Sequence, residues 1–355
     1  MKRLALLALL AAMSCSAAAA AEAADWYVDA ATGEDAQSGS DPGRAWRTLG
    51  AVVDSINGGT VRAGDTVYFG PGTYGAVAPE YEDIRTGGKP GAPITLAGCA
   101  GIPKPTLLGW LVLTGDHLIV SGFAFDGPTG AYRSRDGRLA EQAPLEIQGD
   151  HVTLVDSEVE GSWSGGGVLL GAEADPAVDF TISRSWIHDN GRFADPDEAN
   201  FHHGLYVQSG SGSISGNLIG DNYGYGVHLY PSPSNVTVKD NLIAGHGLAG
   251  VIVAGQRGAR LPAGNVIVDN LMVDNNHAVN ALDPVGRGNA AVRNVSWNNS
   301  RPAFFDLEHR LTLAGNTNRD PRLTVPERAR AGNELPSPFG GSLALSAFEG
   351  GGCRY

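Results

Sequence analysis

Gly204-Leu205-Tyr206-Val207 returns along the chain as Gly226-Val227-His228-Leu229 and again as Gly250-Val251-Ile252-Val253. The three glycines are 22 and 24 residues apart, and alternating aliphatic residues follow each of them. A repeat of this length built from short strands is typical of a solenoid, in which each coil completes its core by stacking on the next. The stretch therefore predicts an all-β chain of stacked coils.

A second repeat runs between the copies of the first and begins each time with asparagine. It reads Asn217-Leu218-Ile219, then Asn241-Leu242-Ile243, then Asn270-Leu271-Met272, and Asn294 continues the series. Asparagine tolerates the left-handed backbone of a tight corner, and its amide can bond to the same residue one coil away. We therefore predict a parallel β-helix with asparagine stacked at one corner.

Residues 1–24 have the pattern of a signal peptide. Lys2 and Arg3 precede an apolar stretch over residues 4–13, and Ala21-Glu22-Ala23 is a cleavage site of the small-x-small kind. We expect a periplasmic or secreted protein. Cys15 lacks the leucine three residues earlier that a lipoprotein cleavage box usually has, so we do not expect a lipid anchor.

The formal net charge of −13 argues against nucleic acid and anionic membranes as partners. Beyond the N-terminal segment, the chain has no apolar stretch of the roughly 18 residues that a membrane-spanning helix needs. We expect a monomer without a membrane span.

The chain divides into four segments, the first of which is the signal peptide. Residues 25–75 should hold an N-terminal strand, a capping helix that begins after Thr48, and the first coil. The apolar residues of this helix recur at i, i+3, i+4 and i+7: Leu49, Val52, Val53 and Ile56. Residues 76–300 should form the parallel β-helix, and the proline-rich residues 301–355 an irregular last coil and a C-terminal tail.

Several N-terminal motifs resemble the opening of secreted right-handed parallel β-helix proteins of the pectate-lyase-like superfamily, which includes polysaccharide lyases. They are Trp26-Tyr27-Val28-Asp29, Gly33-Glu34-Asp35, Trp46-Arg47-Thr48-Leu49, Gly64-Asp65-Thr66-Val67 and Pro71-Gly72-Thr73-Tyr74. The resemblance implies a single-stranded, right-handed β-helix that acts on carbohydrate. Hydrolases, epimerases and non-catalytic adhesins share this fold, so it implies the chemistry only weakly.

The chain departs from some motifs of that superfamily. The Asp-Pro-His-Asp motif of mannuronan epimerases is absent, and the nearest string is Asp283-Pro284-Val285-Gly286. Beyond the signal peptide the lysines are Lys89, Lys104 and Lys239, and none matches the context of the lysine base of the lyases. The lyase family therefore stays open.

Aligning the coils by their glycines separates inward from outward residues, because side chains alternate along a strand. The inward rows are Val168, Leu205, Val227 and Val251, and then Leu170, Val207, Leu229 and Val253. Glu146, Tyr206 and His228 fall in one outward row, and Gln208 and Tyr230 face out one position beyond the second inward row. These five residues are predicted to share one face.

The long connections of the chain border that face. Residues 129–143 and 191–203 precede its strands, and residues 256–264 and 283–289 follow them. These connections contain Arg133, Arg135, Arg138, Arg192, Arg257, Arg260 and Arg287. Insertions in a solenoid gather on the binding side, and arginine grips a planar carboxylate with two hydrogen bonds. We therefore expect an acidic polysaccharide or oligosaccharide as partner, with Glu146, Arg192, Gln208, Asp283 and Arg287 in substrate binding.

β-Elimination of a uronate requires a base for the C5 proton, an acid for the leaving oxygen and a positive charge for the carboxylate. The candidates for these roles are, in order, His203 or His228, Tyr206 or Tyr230, and Arg257 or Arg192. The histidines are alternatively plain surface residues, and the tyrosines are alternatively platforms on which sugars stack.

Other chemistries compete for the same part of the chain. Asp156, Glu158 and Glu160 alternate and could act as glycosidase carboxylates, or simply form a solvated acidic face. The spacing of His202, His203 and His228 matches no specific transition-metal pattern. Calcium is a better candidate, because Asp195, Asp197 and Glu198 offer oxygen ligands in a loop beside the face. They are alternatively a solvated loop.

Our leading hypothesis is a secreted polysaccharide lyase that cleaves an acidic, uronate-containing glycan by β-elimination. The alternatives are a glycoside hydrolase on the same fold and a non-catalytic glycan-binding surface protein. Removal of Cys15 with the signal peptide leaves Cys99 and Cys353, which either pair or stay free thiols.

Overall fold

The computed structural model describes residues 22–75, 81–99, 103–127, 143–163, 165–172, 174–191, 200–282, 284–322, 334–337 and 341–344. Each coil passes through three ladders of parallel strands, which we number in the order in which the chain meets them. Two long strands, His203–Ser215 and Tyr225–Lys239, take part in both the third and the first ladder and join them into one sheet. The sequence therefore forms the predicted right-handed parallel β-helix.

The first ladder contains the C-terminal parts of the two long strands together with nine shorter strands. These are Asp25–Val28, Thr66–Phe69, Ile94–Gly98, Leu118–Ser121, Thr153–Val155, Ala177–Ser183, Val266–Val268, Ala290–Val292 and Thr312–Ala314.

The second ladder is a separate sheet of ten short strands. These are Thr73–Tyr74, Thr106–Leu108, Ala124–Asp126, Glu158–Glu160, Trp186–His188, Leu218–Gly220, Leu242–Ala244, Leu271–Val273, Val295–Trp297 and Thr317–Asn318.

The third ladder contains the N-terminal parts of the two long strands and seven further strands. These are Tyr81–Ile84, Trp110–Leu113, Leu145–Ile147, Gly166–Leu170, Ala249–Ala254, His277–Leu282 and Phe304–Asp306. The long connections identified in the sequence come directly before and directly after strands of this ladder.

The core is the inside of the coils. Val168, Leu205, Val227 and Val251 pair in register on adjacent strands of the third ladder and are fully buried. One continuous apolar cluster runs from Val28 to Leu311. Alternation therefore sends every second side chain inward, as the repeat predicts.

The predicted asparagine ladder is present at the corner between the first and second ladders. Asn217 donates from its amide nitrogen to Oδ1 of Asn241 at 2.9 Å, and Asn241 donates to Asn270 at 2.9 Å. The series continues to Asn294 and Asn316, each at 3.0 Å. Stacked amides thus satisfy polar groups that are fully shielded from water.

The predicted capping helix spans Leu49–Asn57 and begins after Thr48, whose hydroxyl accepts a hydrogen bond from the amide of Ala51. Leu49, Val52, Val53 and Ile56 are buried in the core. A single 3-10 turn, Pro42–Arg44, precedes this helix.

Parallel pairing continues past residue 300. Phe304–Asp306 pairs with His277–Leu282, and Thr317–Asn318 pairs with Val295–Trp297. Glu334–Ser337 and Gly341–Ala344 form an antiparallel pair. Cys99 is disulfide-bonded, and the other two cysteines of the chain lie outside the described residues, as does most of the predicted signal peptide.

Candidate functional site

The outward row of the third ladder is the one that the sequence alignment predicts. Glu146 pairs with Leu169, Leu169 with Tyr206, and Tyr206 with His228. The row continues through Ile252, Asn280 and Phe305. These side chains therefore stand on consecutive coils, one strand spacing apart.

Five rings gather on this face and form what we call the ring cluster: His203, Tyr206, Tyr225, His228 and Tyr230. His228 stacks on Tyr206 with centroids 5.0 Å apart and on Tyr230 at 5.4 Å. His203 stacks on Tyr225 at 5.6 Å and meets the edge of Tyr206 at 5.0 Å. The two long strands, which lie on adjacent coils, thus supply one continuous aromatic patch.

Two histidines of the ring cluster bond directly to each other. Nδ1 of His228 lies 3.0 Å from Nε2 of His203, so one of these nitrogens donates to the other. His203 is 1% exposed and His228 is 8% exposed. This contact is diagonal across the ladder, because the strand partner of His203 is Tyr225 and that of His228 is Tyr206.

Burial fixes the charge of this pair. It lowers the pKa of His228 from 6.5 to about 3. It also lowers the pKa of His203 well below 6.5, and the neighbouring His228 and His202 lower it further. Both imidazoles are therefore neutral at ordinary pH.

The pair can act as an oriented base. When His228 donates from Nδ1 to His203, its Nε2 carries a lone pair, and His203 then fixes the orientation of the ring. Nδ1 of His203 is buried without a hydrogen-bond partner among the described residues.

The loop after strand Ala249–Ala254 lies beside the ring cluster. The hydroxyl of Tyr230 donates to Oε1 of Gln256 at 3.3 Å, and Arg257 is the next residue of the chain. Gln208 is half-buried on the strand next to Tyr230, and Arg287 is exposed on the loop that follows the next coil. Arg257 and Arg287 thus lie on the connections that follow the next two strands of this ladder.

Glu146 lies on this face at the end nearer the N-terminus. It is 9% exposed and accepts hydrogen bonds from Nε1 of Trp110 and from the amide of Gln148. Burial raises the pKa of its carboxyl group. Other predicted site residues lie outside the described residues: Arg192, Asp195, Asp197, Glu198 and Asp283.

Tyr225 belongs to the site and is missing from the sequence-based candidates. It pairs in register with His203, and its hydroxyl donates to Oδ1 of Asn200 at 3.1 Å. Strict alternation counted back from Val227 sends Tyr225 inward. Its ring instead contacts the rings of His203 and His228 in the ring cluster. The alignment of Tyr225 with His203 was the available signal.

Of the alternative carboxylates, Glu158 and Glu160 lie on the second ladder and Asp156 on the corner before it. Glu158 and Glu160 point outward beside His188, whose Nε2 is 3.3 Å from Glu158 and 3.9 Å from Glu160. Asp156 is instead held by Arg184 in a bidentate pair with both contacts at 2.8 Å. Ligand atoms of Glu160, His188 and Asp189 lie within 4.8 Å of one another, a spacing that a metal ion could bridge.

Solved structures with a similar fold include two lyases and a glycoside hydrolase. A pectate lyase, Pel9A, superposes with a TM-score of 0.60 at 15% identity, over 83% of this chain and 78% of its own. An alginate lyase from Paenibacillus sp. str. FPU-7 gives 0.54 at 15% identity, over 76% and 97%. A glycoside hydrolase gives 0.53 at 10% identity, over 83% and 96%. At these identities the likeness shows the fold alone.

No curated protein matches the chain by sequence. Within the described residues, no helix is long and apolar enough to cross a membrane. Residues 140–317, about half of the chain, match the family described as the right-handed beta helix region. The chain therefore belongs to the right-handed β-helix family.

Proposed function

We propose that this protein is an exported polysaccharide lyase that cleaves a uronate-containing glycan by β-elimination at the ring cluster. The observation that carries the proposal is the hydrogen-bonded pair of neutral histidines, His203 and His228, in contact with Tyr206 and Tyr230 on one outward face. Lyases and hydrolases on the same fold support the broader assignment to carbohydrate-active proteins.

His228 serves as the base in this proposal. Its neutral form persists down to about pH 3, so its lone pair is available at every physiological pH. The low pKa also makes it a weak base, so the proton transfer needs help from the surroundings. His203 provides that help by orienting the ring and sharing the positive charge through the 3.0 Å hydrogen bond.

Tyr206 or Tyr230 gives a proton to the leaving oxygen. Both rings stack on His228, and both are half-buried on the outward face. Arg257 neutralises the uronate carboxylate from the neighbouring loop, which makes the C5 proton more acidic. Calcium, if Asp195, Asp197 and Glu198 hold it, would supply this positive charge instead.

The test uses the purified protein with alginate, polygalacturonate and chondroitin, each with and without calcium. We expect ultraviolet absorbance from the unsaturated product on at least one substrate. His228→Ala should reduce kcat by about a hundredfold or more, which is the usual contribution of a general base. Tyr206→Phe removes only a hydroxyl and separates the acid from a stacking platform: a loss in kcat indicates the acid, and unchanged kcat indicates stacking.

His277→Ala is the matched control. His277 lies two coils further along on the same ladder and is 8% exposed, as His228 is, but its Nδ1 bonds to the carbonyl of Pro302. Equal losses in the two variants would point to general disruption of the face. New reducing ends without ultraviolet absorbance would identify a hydrolase, and binding without any product would identify a glycan-binding protein.

A further inference from the structure

A pair of large rings stands at the N-terminal end of the third ladder. Tyr81 and Trp110 are partners on adjacent strands, with centroids 4.9 Å apart and planes inclined by 41°. Tyr81 is 54% exposed, and only Phe201 and Trp297 are also exposed among the tyrosine, tryptophan and phenylalanine side chains of the described residues. The two rings together offer an apolar surface on the side of the sheet that holds the ring cluster.

Trp110 is fixed in place by Glu146. Its indole Nε1 donates to Oε2 of Glu146 at 3.3 Å, and Glu146 also accepts from Gln148. A ring held by a neighbouring coil loses little side-chain entropy when a ligand stacks on it. The carboxylate beside the ring can accept hydrogen bonds from hydroxyl groups. Flat apolar surface with adjacent acceptors suits a pyranose ring, which has C–H groups on its faces and hydroxyls around its rim.

The charge at this end opposes an acidic sugar. Asp83 and Glu146 stand in one outward row, two coils apart. Burial is the main cause of the raised pKa of Glu146, and the negative charge of Asp83 raises it further. Among the described residues, Arg85 is the cation that contacts this pair of carboxylates. Its Nη1 lies 3.8 Å from Oδ2 of Asp83. A uronate carboxylate placed here would meet a local excess of negative charge.

We propose that Tyr81, Trp110 and Glu146 form a remote subsite for an uncharged sugar. Three strand spacings, about 14 Å, separate the strand of Trp110 from that of His203. A glycan that spans both places carries its uronate at the ring cluster and an uncharged sugar at Tyr81 and Trp110. The substrate is then a mixed polysaccharide in which uronates alternate with neutral sugars, an inference that rests on the proposed function.

The experiment measures binding and turnover separately, with chondroitin as the mixed glycan and polygalacturonate as the pure uronan. Tyr81→Ala should raise the Kd for chondroitin oligosaccharides about tenfold, as the loss of one aromatic contact predicts. Tyr81→Phe keeps the ring and should bind as the wild type does. Tyr27→Ala is the matched control, because Tyr27 also packs on a ring of the next strand, Tyr68, but in the first ladder.

Charge is tested with Glu146→Gln. This change keeps an acceptor for Trp110 and removes one negative charge. It should therefore lower the Kd for polygalacturonate more than the Kd for chondroitin. An unchanged chondroitin Kd in Tyr81→Ala would overturn the subsite and leave the lyase proposal standing. A raised Kd in Tyr81→Ala without product from the wild type would support the subsite and overturn the lyase. Equal weakening on both glycans in Tyr81→Ala would refute the preference for an uncharged sugar.

Discussion

Gly204 lies where the next coil approaches closely. A Cβ at this position would stand 2.7 Å from Nδ2 of Asn222 and 2.7 Å from the carbonyl oxygen of Gly226. Gly226 faces His246 on the next coil in the same way, with Nε2 at 2.6 Å. The repeated glycine therefore makes room for a stack of polar side chains at the corner before the third ladder, and the neighbouring backbone cannot move away from it.

Gly204→Ala should destabilise the protein by about 1 to 3 kcal/mol, the usual cost of overpacking a filled interior. Gly220→Ala is the control, because the nearest atom to its added Cβ is 3.9 Å away. The free energy of unfolding, measured by denaturant titration, should change by less than about 0.5 kcal/mol in this control. Similar losses at both positions would show that the close approach is not what selects glycine.

At the scale of the element, the asparagine ladder adds side-chain hydrogen bonds between coils. The strands alone would join these coils only through backbone hydrogen bonds. Oδ1 of Asn241 accepts from both the backbone and the side-chain nitrogen of Asn217, each at 2.9 Å. Its own amide donates to the carbonyl of Ile214 and to Asn270. One side chain thus satisfies groups on three coils that water cannot reach.

Asn241→Ala should lower the free energy of unfolding by about 3 kcal/mol, because it leaves more than one buried donor without an acceptor. Asn318→Ala changes an exposed asparagine of the last coil and should be nearly neutral. Thermal and urea unfolding of both variants at neutral pH give the comparison. A loss below about 1 kcal/mol at Asn241 would mean that water replaces the missing amide.

At the scale of the molecule, the buried histidines couple stability to pH. His246 takes the place of an asparagine in a second stack, and burial lowers its pKa from 6.5 to about 4. Between these two values the folded state keeps His246 neutral, whereas the unfolded state takes up a proton. The free energy of unfolding therefore falls as the pH falls from about 6.5 towards 4, and His228 acts in the same direction down to about pH 3.

His246→Asn should reduce this acid sensitivity. Each such histidine contributes a slope of about 1.4 kcal/mol per pH unit in that window, and asparagine fits the stack without titrating. The slope between pH 6 and pH 5, from urea unfolding, should fall by about that amount relative to the wild type. His309→Asn, which changes an exposed histidine with a left-handed backbone, should keep the wild-type slope. An unchanged slope in His246→Asn would contradict the assignment of this acid sensitivity to His246.

The repeat predicts much of this fold because the inward positions and the corners of a coil depend on residues that are close together in the chain. Gly204, Leu205 and Val207 show by spacing alone which side chains enter the core, and Asn217 and Asn241 show where the chain turns. The row of Glu146, Tyr206 and His228 follows from the same alignment. Alternation failed at Tyr225, whose ring lies in the ring cluster although counting back from Val227 sends it inward.

The sequence by itself determined the stacked coils, the inward rows and the face that its long connections border, since these depend on residues close together in the chain. Only the tertiary structure decided that His203 bonds to His228 rather than to its strand partner, and that burial keeps both rings uncharged. The physical reason is that a diagonal contact and the exclusion of water depend on how neighbouring coils are offset. No single repeat contains that offset.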